Sequence, residues 1–319
     1  MRVNVFLDPQ EGMTWTTIAT VAKAAESLGF EGLHRSDHLA STQEHYERAA
    51  TEAWSTLAGL AIITDRLRLG TLVTPLTFRE PWLLAKIVAT VDEMSGGRVD
   101  VSIGTGWNAG EHHALGIPFP SMQERFSRLE EYLPLLQGLW AGEPFTFHGT
   151  YYEANDIAPR PLPSQRPQPY LIIGGHGPRR TPLLAARYAN EYNIDWPSID
   201  MCRDLYGRVR AACIEIGRDP ETIVRSALLG VIVGATAAEA RERRDAGLAS
   251  LHVATADREV WLATNAGAWL VGEVDEVIVR LREFAAAGVQ RVMLMHAPSD
   301  DLDTLTLIGR QVIPGVADA

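Results

Sequence analysis

The chain has 319 residues, 46% of them hydrophobic and 22% charged, which suits one large α/β domain or two ordinary ones. A formal net charge of −11 argues against nucleic acid or an anionic membrane as the main partner. Cys202 and Cys213 are the two cysteines; on a predicted helix they stand roughly 16 Å apart, too far to bridge, and free thiols fit a reducing cytoplasm.

The opening MRVNVFLDPQEG carries a single positive charge ahead of a short apolar run, so it reads as a strand and not as a secretory leader. No apolar run is long enough to span a membrane. Strand signals recur as short, β-branched-rich runs at Val3–Leu7, Phe30–His34, Leu67–Val73, Val99–Ile103, Tyr170–Ile173, Glu191–Asp195, Val224–Val233 and Val292–Met295. Helical patterns lie between them. Ile18, Val21, Ala25 and Leu28 step by three and four before Gly29. Pro81 opens a helix carrying Leu84, Ile87, Val88, Val91 and Met94, stopped by Ser95-Gly96-Gly97. Ser121-Met122-Gln123-Glu124 reads as a capping box, with Phe126, Leu129, Leu133, Leu136 and Trp140 forming one apolar face behind it.

This alternation predicts a closed (β/α)8 barrel spanning residues 1–319 as one domain, with an open doubly wound sheet as the alternative. Continuous apolar strands fit burial on both faces, as parallel sheets require. Insertions are expected near 106–120, 142–169 and 248–272. The second carries Phe145 to Tyr152, a small hairpin around His148-Gly149, and the third bears Trp261 and Trp269. Long segments of this kind are commonly lids or oligomer contacts.

A barrel enzyme works at the C-terminal ends of its strands, which selects Arg35-Ser36-Asp37-His38, Thr71-Leu72-Val73-Thr74, Gly104-Thr105-Gly106-Trp107-Asn108 and Gly174-Gly175-His176-Gly177. His38 can exchange a proton near neutral pH, and Asp37 beside it can tune that charge or position a neighbour. Adjacent strand-end residues point opposite ways, so the two need not touch; His38 also reads as a structural histidine bonded to a loop carbonyl. Gly174 to Gly177 precede a helix start, where exposed backbone amides make a phosphate cradle and Arg179 or Arg180 adds charge. Glu111-His112-His113 lacks metal-ligand spacing, so no metal is expected. No Gly-x-Ser-x-Gly elbow of a serine hydrolase occurs. Trp54, Trp107 and Trp196 are candidates to wall an apolar pocket, or plain core.

Gly104 to Asn108, the excursion Gly116-Ile117-Pro118-Phe119-Pro120 and Glu124-Arg125-Phe126 together resemble the luciferase-like monooxygenase superfamily, specifically its branch using the deazaflavin coenzyme F420. Ser36-Asp37-His38 matches that branch's Ser-Asp-His motif, and the likeness runs from Phe6 through Ile313. The resemblance implies hydride transfer between F420 and a small organic substrate, with His38 as acid or base and Asp37 supporting it. It further implies that Leu72, Val73 and Thr74, with a cis bond at Leu72–Val73, join Gly106, Trp107 and Asn108 in placing the ring. Gly174, Gly175, His176, Gly177 and Arg179 would hold the phosphate. FMN, delivered reduced by a separate reductase to a monooxygenase, is the alternative cofactor; a non-enzymatic flavin-binding barrel is the remaining one. A homodimer is the family's usual state. Members that oxidise sugar phosphates carry a glutamate where this chain has Trp107, and a tryptophan near Ala40-Ser41-Thr42. Those departures argue against a sugar-phosphate substrate.

Overall fold

In the computed structural model, which describes residues 1–319, eight parallel staves close into a barrel with helices between them. The strands in chain order are β1 (Arg2–Leu7), β2 (Gly32–Arg35), β3 (Arg68–Thr71), β4 (Thr74–Pro75), β5 (Val99–Gly104), β6 (Phe145–His148), β7 (Glu153–Ile157), β8 (Tyr170–Gly174), β9 (Glu191–Asp195), β10 (Val224–Gly234), β11 (Trp269–Glu273) and β12 (Arg291–His296). The helices are α1 (Trp15–Ser27), α2 (Ala53–Ile63), α3 (Pro81–Ser95), α4 (Ala109–Leu115), α5 (Met122–Ala141), α6 (Arg180–Tyr188), α7 (Ile199–Glu215), α8 (Ala237–Ser250), α9 (Arg258–Asn265), α10 (Val274–Ala286) and α11 (Leu302–Leu307). Pairing runs β12–β1–β2–β3–β5–β8–β9–β10 and returns from β10 to β12. The expected barrel is therefore present, and the open sheet is set aside. No helix is long and apolar enough to cross a membrane.

Three details differ from the sequence reading. The third stave, expected as one run from Leu67 to Val73, is broken into β3 and β4 by Leu72-Val73, whose peptide bond is cis as the resemblance implies. The segment 248–272 is not a long loop. It contains the end of α8, helix α9, and β11, which pairs in parallel with the upper half of β10 from Gly230↔Trp269 to Gly234↔Glu273. Its strand signal is short because Gly267 and Gly272 enclose only Ala268, Trp269, Leu270 and Val271. At α5 only half of the capping box forms. Ser121 accepts the Glu124 amide, while the Glu124 carboxylate turns to Arg128. The hairpin around His148-Gly149 is present as β6–β7.

Alternation along the staves sorts the interior. Outward residues such as Val99, Val101 and Ile103 pack under the helices in the main core. Inward residues are polar at the strand starts and apolar at the strand ends. At the start of the strands Arg291 is 1% exposed and meets Asp100 (2.8 Å), Glu191 (2.9 Å) and Glu31 (2.8 Å). Asp100 also accepts from Arg68 Nε (2.8 Å) and lies 3.1 Å from His34 Nε2, and Tyr170 donates to Glu191 (3.0 Å). A buried ion survives only when its partners replace water, and here each charge has several. Above this floor Phe6, Leu72, Ile172, Leu228, Met293, Met295 and Trp269 form a second, apolar cluster inside the barrel.

Burial alone would push the Asp100 carboxyl up, but Arg291, the His34 bond and Arg68 hold it well below the usual carboxylate range. A depressed native pKa contributes stability that is complete above the unfolded value near 4 and is lost as pH falls below it. Asp100→Asn should therefore lower stability by about 3 kcal/mol at pH 7, measured by urea denaturation. Its stability should also fall less steeply than wild type below about pH 4. Equal acid slopes in the two proteins would show that Asp100 is not the group responsible.

Candidate active site at the barrel mouth

The C-terminal ends of the staves bring most of the expected residues to one face. His38 follows β2, Val73 bulges from the third stave, Trp107 and Asn108 follow β5, and His176 follows β8. Gly104 and Gly174 are the inward positions at the ends of β5 and β8. A Cβ on Gly104 would stand 2.9 Å from Val73 Cγ2, and one on Gly174 would stand 2.8 Å from Val73 Cγ1. The Val73 side chain thus occupies the space that two missing side chains leave, and these glycines serve the bulge. Gly174 is for that reason a seat for Val73 before it is part of any phosphate cradle.

Asp37 and His38 do point apart. Asp37 accepts from Arg79 Nη1 (2.6 Å), Arg79 Nη2 (3.1 Å) and the Thr74 hydroxyl (2.7 Å). Arg79 also pairs with Glu52, and Thr74 accepts the Trp54 indole N–H at 3.3 Å. The expected support of His38 by Asp37 is therefore corrected: the carboxylate pins β4 and the start of α3 to the end of β2. It holds the bulge through Thr74, and Arg79 has consumed its charge. Trp54 is 1% exposed, so it is core and lines no pocket.

His38 is held by a residue the sequence reading passed over. Its Nδ1 lies 2.7 Å from Glu111 Oε2, while Glu111 Oε1 accepts the amides of Leu39 (2.6 Å) and Ala40 (3.1 Å). Glu111 is buried in α4, a helix of seven residues whose N-cap is Asn108. The Asn108 side chain accepts the Glu111 amide at 3.0 Å. Asn108 thus starts the helix that delivers Glu111. The signal was present, since Asn-x-x-Glu is an N-terminal helix pattern. His112 is structural. Its Nδ1 donates to the Asn108 carbonyl (2.7 Å), its Nε2 faces the Thr77 hydroxyl (2.7 Å), and its ring lies between Phe78 and Phe119. Trp107, 64% exposed, meets His38 edge-on at 5.6 Å. Asp8, just after β1, was also missed; burial pushes its carboxyl up, against the pull of Gln10, Ser36 and the His38 charge.

Across the mouth, Gly175 (φ 130°) and Gly177 precede α6. His176 Nε2 lies 2.9 Å from Asp195 Oδ1, a bond that raises the imidazole pKa. The two arginines separate here. Arg180 is bound to Glu130, Ser127 and the Gln123 carbonyl, whereas Arg179, at the N-cap of α6, makes no side-chain bond and stands exposed. A further wall is aromatic. Trp196, with φ at 50°, stacks on Trp269 (5.7 Å between centroids, 6° between planes), and Trp261 meets Trp269 edge-on at 5.0 Å. Arg48 bridges the rim, bonding Glu11 (2.6 Å) and His252 Nε2 (3.0 Å).

An apolar barrel top, an imidazole at its edge and an open glycine turn with one free cation form the kind of site a (β/α)8 enzyme carries at its strand ends. Comparison with known proteins agrees: residues 1–310 match the luciferase-like monooxygenase family, and the chain belongs to it. An F420-dependent glucose-6-phosphate dehydrogenase of Intrasporangium calvum is 29% identical, with 92% of both chains covered. An FMNH2-dependent dimethylsulfone monooxygenase of Pseudomonas putida is 30% identical over 67% of this chain, which spans 62% of that relative's length. Among solved structures, an F420-dependent secondary alcohol dehydrogenase in complex with an F420-acetone adduct superposes with a TM-score of 0.82 at 21% identity, covering 99% of this chain and 98% of that one.

The seating of Val73 generates a test that needs no ligand. Gly174→Ala should destabilise by about 1–3 kcal/mol, the usual cost of overpacking. Adding Val73→Ala should recover part of that loss, because the two sites compete for one volume. Strictly additive effects in the double-mutant cycle would separate the glycine from the bulge.

Proposed function

We propose that this chain is an F420-dependent oxidoreductase that moves a hydride between the deazaflavin and a small organic substrate. The observation that carries the reading is His38, held at the mouth by a buried carboxylate through Nδ1, the ring nitrogen that bonds to the protein. The residues present fit the cofactor. Leu72 and Val73 belong to the apolar cluster of the barrel top and offer a ring a dry support, while the Gly175–Gly177 turn and unpaired Arg179 suit an anionic phosphate. When bound, the deazaflavin supplies a ring carbon that takes or gives a hydride. The chain supplies orientation, exclusion of water and a proton exchanger at His38 Nε2. Relatives matched along nearly their whole length support this choice. Trp107, standing where members that oxidise sugar phosphates carry a glutamate, speaks against a sugar phosphate as substrate.

A second reading, an FMN-dependent monooxygenase served by a separate reductase, is favoured by the likeness to the dimethylsulfone enzyme. Thermal-shift titration separates the two. F420 should stabilise the protein by about 2–3 kcal/mol at a hundredfold excess over Kd, and Arg179→Ala should weaken its binding roughly three- to tenfold. Stabilisation by FMN alone would transfer the chain to the monooxygenase reading. His38→Ala should retain cofactor binding within about tenfold and lose turnover on the order of a hundredfold.

A further inference from the structure

We propose that Glu111 is a positioning residue that sets the tautomer of His38, so that in the neutral ring Nδ1 carries the hydrogen and Nε2 keeps its lone pair for the reacting proton. The inference follows from counting donors. Glu111 Oε1 faces two backbone N–H groups, from Leu39 and Ala40, and backbone amides can only donate. The carboxylate has no hydrogen of its own, so Oε2 must also accept. Its partner at 2.7 Å is His38 Nδ1, which is therefore the protonated nitrogen. Glu111 cannot swing away to relax this demand: it is 1% exposed, and its own amide is tied to the Asn108 cap. The edge-on Trp107 ring lies against the imidazole, and the ring's hydrogen bond to the protein is made at Nδ1 and not at Nε2.

What this does for catalysis rests on the hydride-transfer reading above. In the oxidising direction the bond between hydrogen and the substrate heteroatom breaks and its proton goes to Nε2. The electron pair of the neighbouring C–H bond leaves with its hydrogen as hydride to the oxidised deazaflavin, and a double bond forms between carbon and heteroatom. Glu111 then faces the resulting imidazolium at Nδ1 and keeps its place throughout. The reverse reaction returns the proton from Nε2.

The tautomer itself is measurable without any substrate. Protein carrying 15N-labelled histidine, with and without cofactor, should show the Nδ1-protonated pattern for neutral His38 in two-bond 1H–15N spectra over a pH series. Finding the hydrogen on Nε2 in the wild type overturns the proposal outright. Glu111→Gln makes a sharper demand. The Leu39 and Ala40 amides donate and so can bond only the carboxamide oxygen; its NH2 group must then face Nδ1, and the His38 hydrogen must move to Nε2. We expect that switch, a fall in kcat on the order of a hundredfold or more with KM little changed, and unaltered cofactor Kd. A Glu111→Gln protein that keeps both the wild-type tautomer and its turnover sinks the assignment. Failure of F420 to bind the wild type would instead count against the hydride-transfer reading, since the tautomer spectra do not depend on it.

Discussion

Arg291 and the three carboxylates around it are the interaction on which the rest of this barrel depends. Eight parallel strands closed on themselves must fill their interior, and the strand starts here bring charged side chains inward on at least four staves. One guanidinium binding Asp100, Glu191 and Glu31, with Arg68, His34 and Tyr170 completing the acceptors, converts that charge into a cross-brace. Any one partner removed leaves the others desolvated and unpaired, which is far more costly than the pair is worth in isolation.

That floor frees the opposite end for chemistry. The apolar cluster of Phe6, Leu72, Met293, Met295 and Trp269 lies on top of the ionic layer, and polar groups reappear only on the loops beyond. There each is anchored from behind. Asp37 fixes the bulge through Thr74, Glu111 fixes His38, and Asn108 fixes Glu111. The mouth is thus assembled from loops whose side chains are spent largely on one another, leaving few atoms unpaired: His38 Nε2, the His176 and Gly177 amides and the Arg179 guanidinium.

The strands and helices were legible because each has a short-range signature: β-branched runs bounded by Gly or Pro, and apolar residues stepping by three and four. The barrel and the ring of strand ends followed. What escaped depends on contacts distant in sequence. Asp37 reads like a partner of His38 until Arg79, 42 positions on, claims it. Glu111 reads as part of an unremarkable Glu-His-His run until the fold carries it 73 positions back to His38. Gly174 reads as part of a phosphate turn until Val73 is seen filling its space. Strand β11 was hidden because its apolar run is short and opens on Trp269, which is buried where β10 pairs with it and packs against Trp196 and Trp261.

Those tryptophans also make the molecule its own optical instrument. Of eight tryptophans, Trp196 and Trp269 are stacked at the mouth with Trp261 edge-on to Trp269, and Trp107 meets His38 edge-on. Stacked indoles share excitation, and an adjacent imidazolium quenches indole emission by drawing charge from it. Light absorbed anywhere in the stack therefore reports on what enters the barrel, while Trp107 brightens or dims with the proton on its neighbour, so occupancy and protonation can be followed as separate colours of one emission band.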